Sequence, residues 1–416
     1  MAFCEWLGNA PAIAQLDTFT IGGSPTAGDT VTIAIGTIPV TYTVTAADAA
    51  ASSPVDSVAA NFVALLSLGT IPQFAEEQWA AVGTGGLFTA TAATPGVPVT
   101  WSTSDTGSTT LGGSNTVASS GPNDASVVLN WSTGALPIAT NDVIIAVPVP
   151  IKWGLAALAP AIALNSFQVL ASFNQQLGLP YQNTNGYVEY RQRFFPIKTT
   201  VPITIGEGTG TGPTMCNIAN GAVLALTIFT TSARSSPSIP VVNVIGCTSG
   251  VFAITAGDLA IAGDDASTTG TVTTGSIAGS GATVTVGPGA TVTTLNNNNG
   301  AVNAYGAVTT LNNNGGTVYL YGTPTTITAN PGSVANVVYW LGTGTITTAT
   351  FNGQGPGQYA PQLNRSPTTK AGTITNATFV GGSSFWDPNA TVTRTNPFQF
   401  DYQSMLVSNF GPRPSF

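Results

Sequence analysis

Residues 292–307 read "VTTLNNNNGAVNAYGA" and residues 308–323 read "VTTLNNNGGTVYLYGT". Aligned without a gap, the copies agree at Val292/Val308, Thr293/Thr309, Thr294/Thr310, Leu295/Leu311, three Asn positions, Gly300/Gly316, Val302/Val318, Tyr305/Tyr321 and Gly306/Gly322. A period this short means one structural unit stacked on itself. Each copy holds two extended pieces, "VTTL" and "AVNAY" or "TVYLY", separated by an Asn/Gly run and closed by Tyr-Gly, so it reads strand, turn, strand, turn. Asn and Gly tolerate the left-handed backbone of a tight corner, and identical Asn side chains about 4.8 Å apart can hydrogen-bond along a ladder. The unit is therefore expected to be one coil of a β-solenoid, with Leu295 lying over Leu311.

Working outward, "TITTATF" at 345–351 and "TITNATF" at 373–379 form a second, looser pair. The segment between them, "GPGQYAPQLNRSPTTKA", is too long for a corner and is expected to project. Residues 118–394 are expected to form the solenoid, irregular in its first half, where "FQVLASF", "VPITIGEG", "AVLALTIFT" and "IPVVNVIG" read as strands. "GEGTGTGPT" has Gly-x-Gly spacing but no following helix and no Lys-Ser/Thr, so it reads as a turn and not as a phosphate cradle.

Residues 16–117 follow a different pattern. Strand-like stretches surround one helical segment, in which Ser53 is placed to cap, Pro54 opens the first turn, and Val55, Val58, Phe62 and Leu65 recur at helical spacing before Gly69. A small α+β module is expected, its helix turning Val55, Phe62 and Leu66 toward a sheet. Residues 1–15 read as an arm. Residues 395–416, with Phe398, Phe400, Tyr402, Phe410 and Phe416, read as an aromatic tail that either caps the solenoid or docks on a neighbouring subunit.

Composition narrows the function. Charged residues are only 6% of the 416, hydrophobic residues are 43%, and the net charge is −8. A surface this poor in charge suits burial against other subunits, and an acidic chain offers no basic face for nucleic acid. With no histidine anywhere, the commonest general base and metal ligand is missing. The longest apolar stretch, "WGLAALAPAIAL", is too short to span a bilayer, and the start lacks the basic residues of a secretory signal. Cys4, Cys216 and Cys247 show no CxxC spacing; they read as buried or free thiols, with a Cys216–Cys247 bridge left open.

A polysaccharide-degrading enzyme would need two carboxylates facing a bound sugar. Asp258, Asp264 and Asp265 are the acids to test, but Asp264-Asp265 reads most simply as a polar turn, and residues 275–364 contain no Asp or Glu. Glu76-Glu77 beside Trp79 and Asp17 reads as the solvated end of a sheet. No catalytic residue, cofactor or metal is implied. The stretch 187–198, "YVEYRQRFFPIK", is the densest in charge and aromatics and reads as an edge strand or an inter-subunit contact through Tyr190, Arg191 and Arg193.

Two stretches carry a resemblance. The pattern from Trp6 to Gly113, including "WLGNAPAIAQLDTFTIGG", resembles small modules in structural proteins of tailed bacteriophages. Residues 118–150, through Asn130, Trp131, Ser132, Gly134, Pro137, Asp142, Val143 and Ile144, resemble the entry segment of β-solenoid surface proteins, with Ala125 where those proteins usually carry a Trp. The resemblance implies a virion component; the expectation built on it is a protein on the capsid exterior, decorating and stabilising it through contacts with the major capsid protein and with its own copies, as a homo-oligomer for which a trimer is a prior only. On that expectation the N-terminal arm offers Trp6 as an interface residue, and Trp131, by its size, is expected to cover the open end of the core. The competing expectation is a tail or fibre adhesin that binds host carbohydrate on Tyr305, Tyr319, Tyr321, Tyr339 and Trp340.

Overall fold

A computed structural model of the chain describes residues 3–158, 164–197, 200–236, 239–263, 268–353, 358–365 and 368–408. The fold is mainly β and is dominated by two parallel sheets, one of 14 strands and one of 12. From residue 202 to residue 394 successive strands alternate between them, so each strand pairs with the one that lies two further along the chain. The repeat shows why. Ala290–Asn297 and Ala307–Asn313 sit side by side in one sheet with Leu295 opposite Leu311. Ala301–Ala304 and Gly316–Leu320 sit side by side in the other with Val302 opposite Val318. All four of these side chains are fully buried. Like therefore stacks on like, as the repeat requires.

Strict alternation breaks inside the longer strands. Val292 and Leu295 both face inward although three positions separate them, and the register skips Thr293 and Thr309. This bend lets one strand line two walls of the core. Asn297 and Asn313 close the same corner from inside, both fully buried. The Asn297 amide donates to Asn313 Oδ1 at 2.8 Å and to the carbonyls of Gly300 and Gly315, and Asn313 donates to Asn336 Oδ1 at 2.6 Å. A second ladder, Asn298, Asn314, Asn330 and Asn352, runs along the outside with spacings of 2.7, 2.9 and 3.0 Å. Buried amides satisfied this fully stabilise the corner where an orphaned one would destabilise it.

The looser pair also stacks: Ile346 lies opposite Ile374, and the rings of Phe351 and Phe379 are 5.1 Å apart. The segment between them does not simply project. Gln362–Asn364 is a strand of the 12-stranded sheet, and Arg365 is fully buried with its guanidinium 4.1 Å from the Trp340 ring centroid. Its Nε donates to Thr391 Oγ1 and its Nη1 to the Gly342 carbonyl.

Residues 16–117 fold antiparallel around a separate core. Glu77–Ala81, Leu87–Ala92, Leu16–Gly23 and Thr109–Val117 form one sheet, and Ile38–Thr43, Thr30–Ile35 and Trp101–Asp105 form another. The helix Pro54–Leu66 buries Val58, Ala59, Phe62 and Leu66 on the first sheet, with Val55 half-buried beside them. Ser53 occupies the N-cap position, but its hydroxyl donates to Asp56 instead of capping a backbone amide. A short helix, Ala46–Ala49, carries a full capping box between Thr45 and Asp48 that the sequence pattern does not announce.

Two boundaries differ from expectation. Phe3–Glu5 is not a free arm: it pairs in parallel with Asp142–Ile145 as the first strand of the 14-stranded sheet, so residues 16–117 are inserted after the sheet has begun. The tail likewise continues the sheets. Gln399–Phe400 pairs with Gly372–Val380, and Met405–Ser408 pairs with Ser384–Asp387.

Candidate functional site

The expected interface residues are mostly spent inside the chain. Trp6 is fully buried, edge-on to Trp131 at 5.1 Å, with its Nε1 donating to the Val149 carbonyl. Trp131 does cover the start of the core, next to a fully buried Ala125. Trp6 is therefore a core residue and not a subunit contact.

Residues 187–194 form no edge strand; they cross between the parallel sheets and the antiparallel unit and fasten one to the other. The Arg191 guanidinium lies 4.5 Å from the Trp153 ring and 4.7 Å from the Tyr190 ring. It pairs with Glu189 at 2.7 Å and with Glu76 at 3.4 Å, and it donates to the Pro98 carbonyl and to Tyr187 Oη. Tyr187 in turn donates to Glu76 at 2.5 Å. Gly36, at φ +59°, lets the backbone reach the Tyr190 ring, because a Cβ there would lie 2.6 Å from Tyr190 Cγ. Arg191 and Tyr190 are thus internal fasteners. Arg193 stacks over Tyr181 and Phe194, both at 5.0 Å, and its Nε donates to the Pro180 carbonyl.

Phe398 and Phe400 pack back on the core. Phe400 stacks on Phe379 at 5.0 Å, and Phe398 meets Phe385 edge-on at 5.4 Å. Tyr402 is 94% exposed. Phe410 and Phe416 lie outside the described residues.

The carboxylates also depart from expectation. Glu76 and Glu77 are not a solvated sheet end: Glu77 is only 6% exposed, and neither of its oxygens has a hydrogen-bond partner among the described residues. Burial, together with the charges of Asp17 and Glu76, pushes its carboxyl up to about 8. Asp48 shows the opposite outcome. Burial alone would raise it, but hydrogen bonds from Thr45, Tyr42 and Ser57 hold it well below the usual carboxylate range. Asp264 and Asp265 lie outside the described residues. Cys216 and Cys247 are separate, buried thiols, and Cys4 is a third. Among the described residues no group of three potential metal ligands comes together, and no helix is long and apolar enough to cross a membrane.

The outer face of the 12-stranded sheet is where side chains remain available. Trp340 is fully buried core, which removes it from the expected aromatic platform. The four tyrosines face outward as two stacked pairs: Tyr305 and Tyr321 at 4.4 Å and 14°, and Tyr319 and Tyr339 at 4.8 Å and 7°. Next to Tyr305 the face sinks into a cleft of about 920 Å³ lined by Arg234, Asp258, Thr283, Thr285, Asn303 and Tyr305, with Gly281 adding no side chain to it. Strand pairing sets this lining: Asp258 lies opposite Thr283, and Thr285 opposite Asn303.

Asp258 is 3% exposed, accepts from Arg234 Nε at 3.1 Å and from the Val241 amide at 2.7 Å, and is the one carboxylate among the described residues lining the cleft. A pair of facing carboxylates is thus not part of this lining. Arg234 also reaches Thr285 Oγ1 at 3.3 Å. Sequence reasoning missed Arg234 as the partner of Asp258. The available signal was a lone cation, Arg234, in a stretch from 208 to 257 otherwise without charge, with Asp258 the next charged residue after it.

No protein-family model matches this chain, and no curated protein or solved structure shows significant similarity to it.

Proposed function

We propose that this chain is a structural protein of a tailed-bacteriophage particle, stabilising the capsid exterior through contacts with the major capsid protein and with its own copies, and that its two parallel sheets wind as a right-handed β-solenoid. The phage assignment rests on the resemblance of residues 6–113. One structural observation supports a scaffolding role above others: a single apolar core runs from Cys4 and Trp6 to Val392, with the antiparallel unit inserted near its start and fastened by Arg191. Such a column is stiff, because each strand is held by neighbours on both sides. Phe3, Leu129 and Ile138, each at least 60% exposed, sit on segments around the first strand pair and leave apolar surface where a neighbouring subunit can cover it.

Electron cryomicroscopy of intact particles tests the reading. Density for the two-sheet column on the shell supports it, and placement on the tail removes the decoration role. A monomer at micromolar concentration in size-exclusion chromatography with light scattering would count against self-association.

A second reading, an adhesin for host-surface carbohydrate, is favoured by the outward tyrosine pairs, since rigid exposed rings suit the apolar faces of sugars.

A further inference from the structure

We infer that the cleft between Arg234 and Tyr305 is a binding site for an uncharged oligosaccharide. The inference rests on the carbohydrate reading and locates it at one site.

The volume, about 920 Å³, falls in the range of roughly 300–1,000 Å³ common to small-molecule sites. Its chemistry is selective. Arg234 and Asp258 are the charged residues among the described lining, and they neutralise each other. A phosphorylated or sulfated ligand would have to break that pair, leaving a nearly buried carboxylate without its partner. An apolar peptide finds no large aliphatic side chain to bury against, since apart from Asn303 and Tyr305 the remaining lining is glycine, alanine, proline, serine and threonine. What the cleft offers is hydroxyl and amide groups on a fixed lattice: Thr283, Thr285 and Asn303 project from adjacent strands about 4.8 Å apart.

The Asn303 amide and the Thr283 hydroxyl have no hydrogen-bond partner among the described residues, although both side chains are half-buried. An amide presents donors and an acceptor, and a hydroxyl presents both, which matches sugar hydroxyls in either orientation. At the end of this row Tyr305, 48% exposed, is held flat by Tyr321 behind it. A ring fixed in this way loses little freedom when a sugar's C–H face lies on it.

The site can be blocked without removing an atom. A Cβ at Gly281 would find Ala256 Cβ at 3.8 Å as its nearest neighbour, an ordinary contact, and Ala256 itself lines the cleft. The test is binding of the purified full chain to a printed panel of neutral and of phosphate- or sulfate-bearing bacterial oligosaccharides. The variants are Gly281→Tyr, Asn303→Ala and Tyr305→Ala, with Tyr339→Ala on the other tyrosine pair as control. Melting temperatures confirm that each is folded.

The expected result is binding to neutral glycans that is insensitive to salt, weakened about tenfold or more by the three cleft variants, a change of roughly 1.4 kcal/mol, and retained in Tyr339→Ala. Binding that survives the cleft variants but is lost in Tyr339→Ala would sink the site and leave the carbohydrate reading standing. Binding confined to acidic glycans would overturn the assignment to uncharged ligands. No binding anywhere on the panel would overturn both.

Discussion

Replacing Asn313 by Ala should destabilise the column more than replacing its sequence neighbour Asn312, although both belong to the same Asn run. Asn313 is fully buried, accepts from Asn297 and donates to Asn336 Oδ1 at 2.6 Å. Truncation leaves the Asn297 amide with the Gly300 and Gly315 carbonyls, but among the described residues no other donor reaches Asn336 Oδ1. An orphaned buried acceptor costs about 1–3 kcal/mol, and the lost hydrogen bond adds about 1 kcal/mol. The expected total for Asn313→Ala is therefore about 2–4 kcal/mol. Asn312 is half-buried and makes one ladder bond to Asn296 Oδ1 at 2.8 Å, where water can take over. Asn312→Ala should cost about 0.5–1 kcal/mol. Urea unfolding followed by tryptophan emission reads both, because the fully buried Trp340 lies opposite Leu320 in the adjacent strand. A shift in midpoint at constant slope converts directly to stability. Equal losses for the two variants, or a larger loss for Asn312→Ala, would refute the inward ladder and with it the corner geometry.

Three further outcomes are expected. Glu77 binds its proton more tightly folded than unfolded, so its contribution to stability is intact below about pH 4.5 and declines as pH rises toward 8. At about 1.4 kcal/mol per pH unit, reduced by water entering around the charge, Glu77→Gln should gain about 1–3 kcal/mol at pH 7 and flatten the pH dependence of the antiparallel unit's melting; an unchanged profile would count against a buried carboxyl there. Burial raises the thiols of Cys4 and Cys216 and pushes Cys247 up to about 11, so a maleimide should leave all three unlabelled in native buffer and label them after denaturation. Deleting residues 395–416 should expose Phe379 and Phe385, lower the melting temperature and increase dye binding to apolar surface, at a cost of about 2–3 kcal/mol; unchanged melting would show that the tail does not cap the column.

Legibility varied along the chain for identifiable reasons. Helix Pro54–Leu66 was readable from a proline, an acidic first turn and helical spacing, all local signals. Strand Thr109–Val117 was not readable: most of its side chains are exposed, so no apolar alternation marks it, yet it pairs with Leu16–Gly23 along its length. The outer face of the candidate site was half legible. The tyrosines were identified by type, but which of the aromatics pointed outward was not, and Trp340 turned inward beneath Arg365.

The repeat by itself determined that Leu295 would lie on Leu311 and that the Asn run would make a laddered corner, because a short period brings each residue beside its own copy. Only the tertiary structure decided that Trp6 is core, that the first strand precedes an inserted unit, and that Arg191 fastens that unit in place. Those contacts join residues 143 and 111 positions apart, as in Trp6 with Val149 and Tyr187 with Glu76. No local pattern encodes partners that distant; they are selected by which charges and rings the folded chain removes from water together.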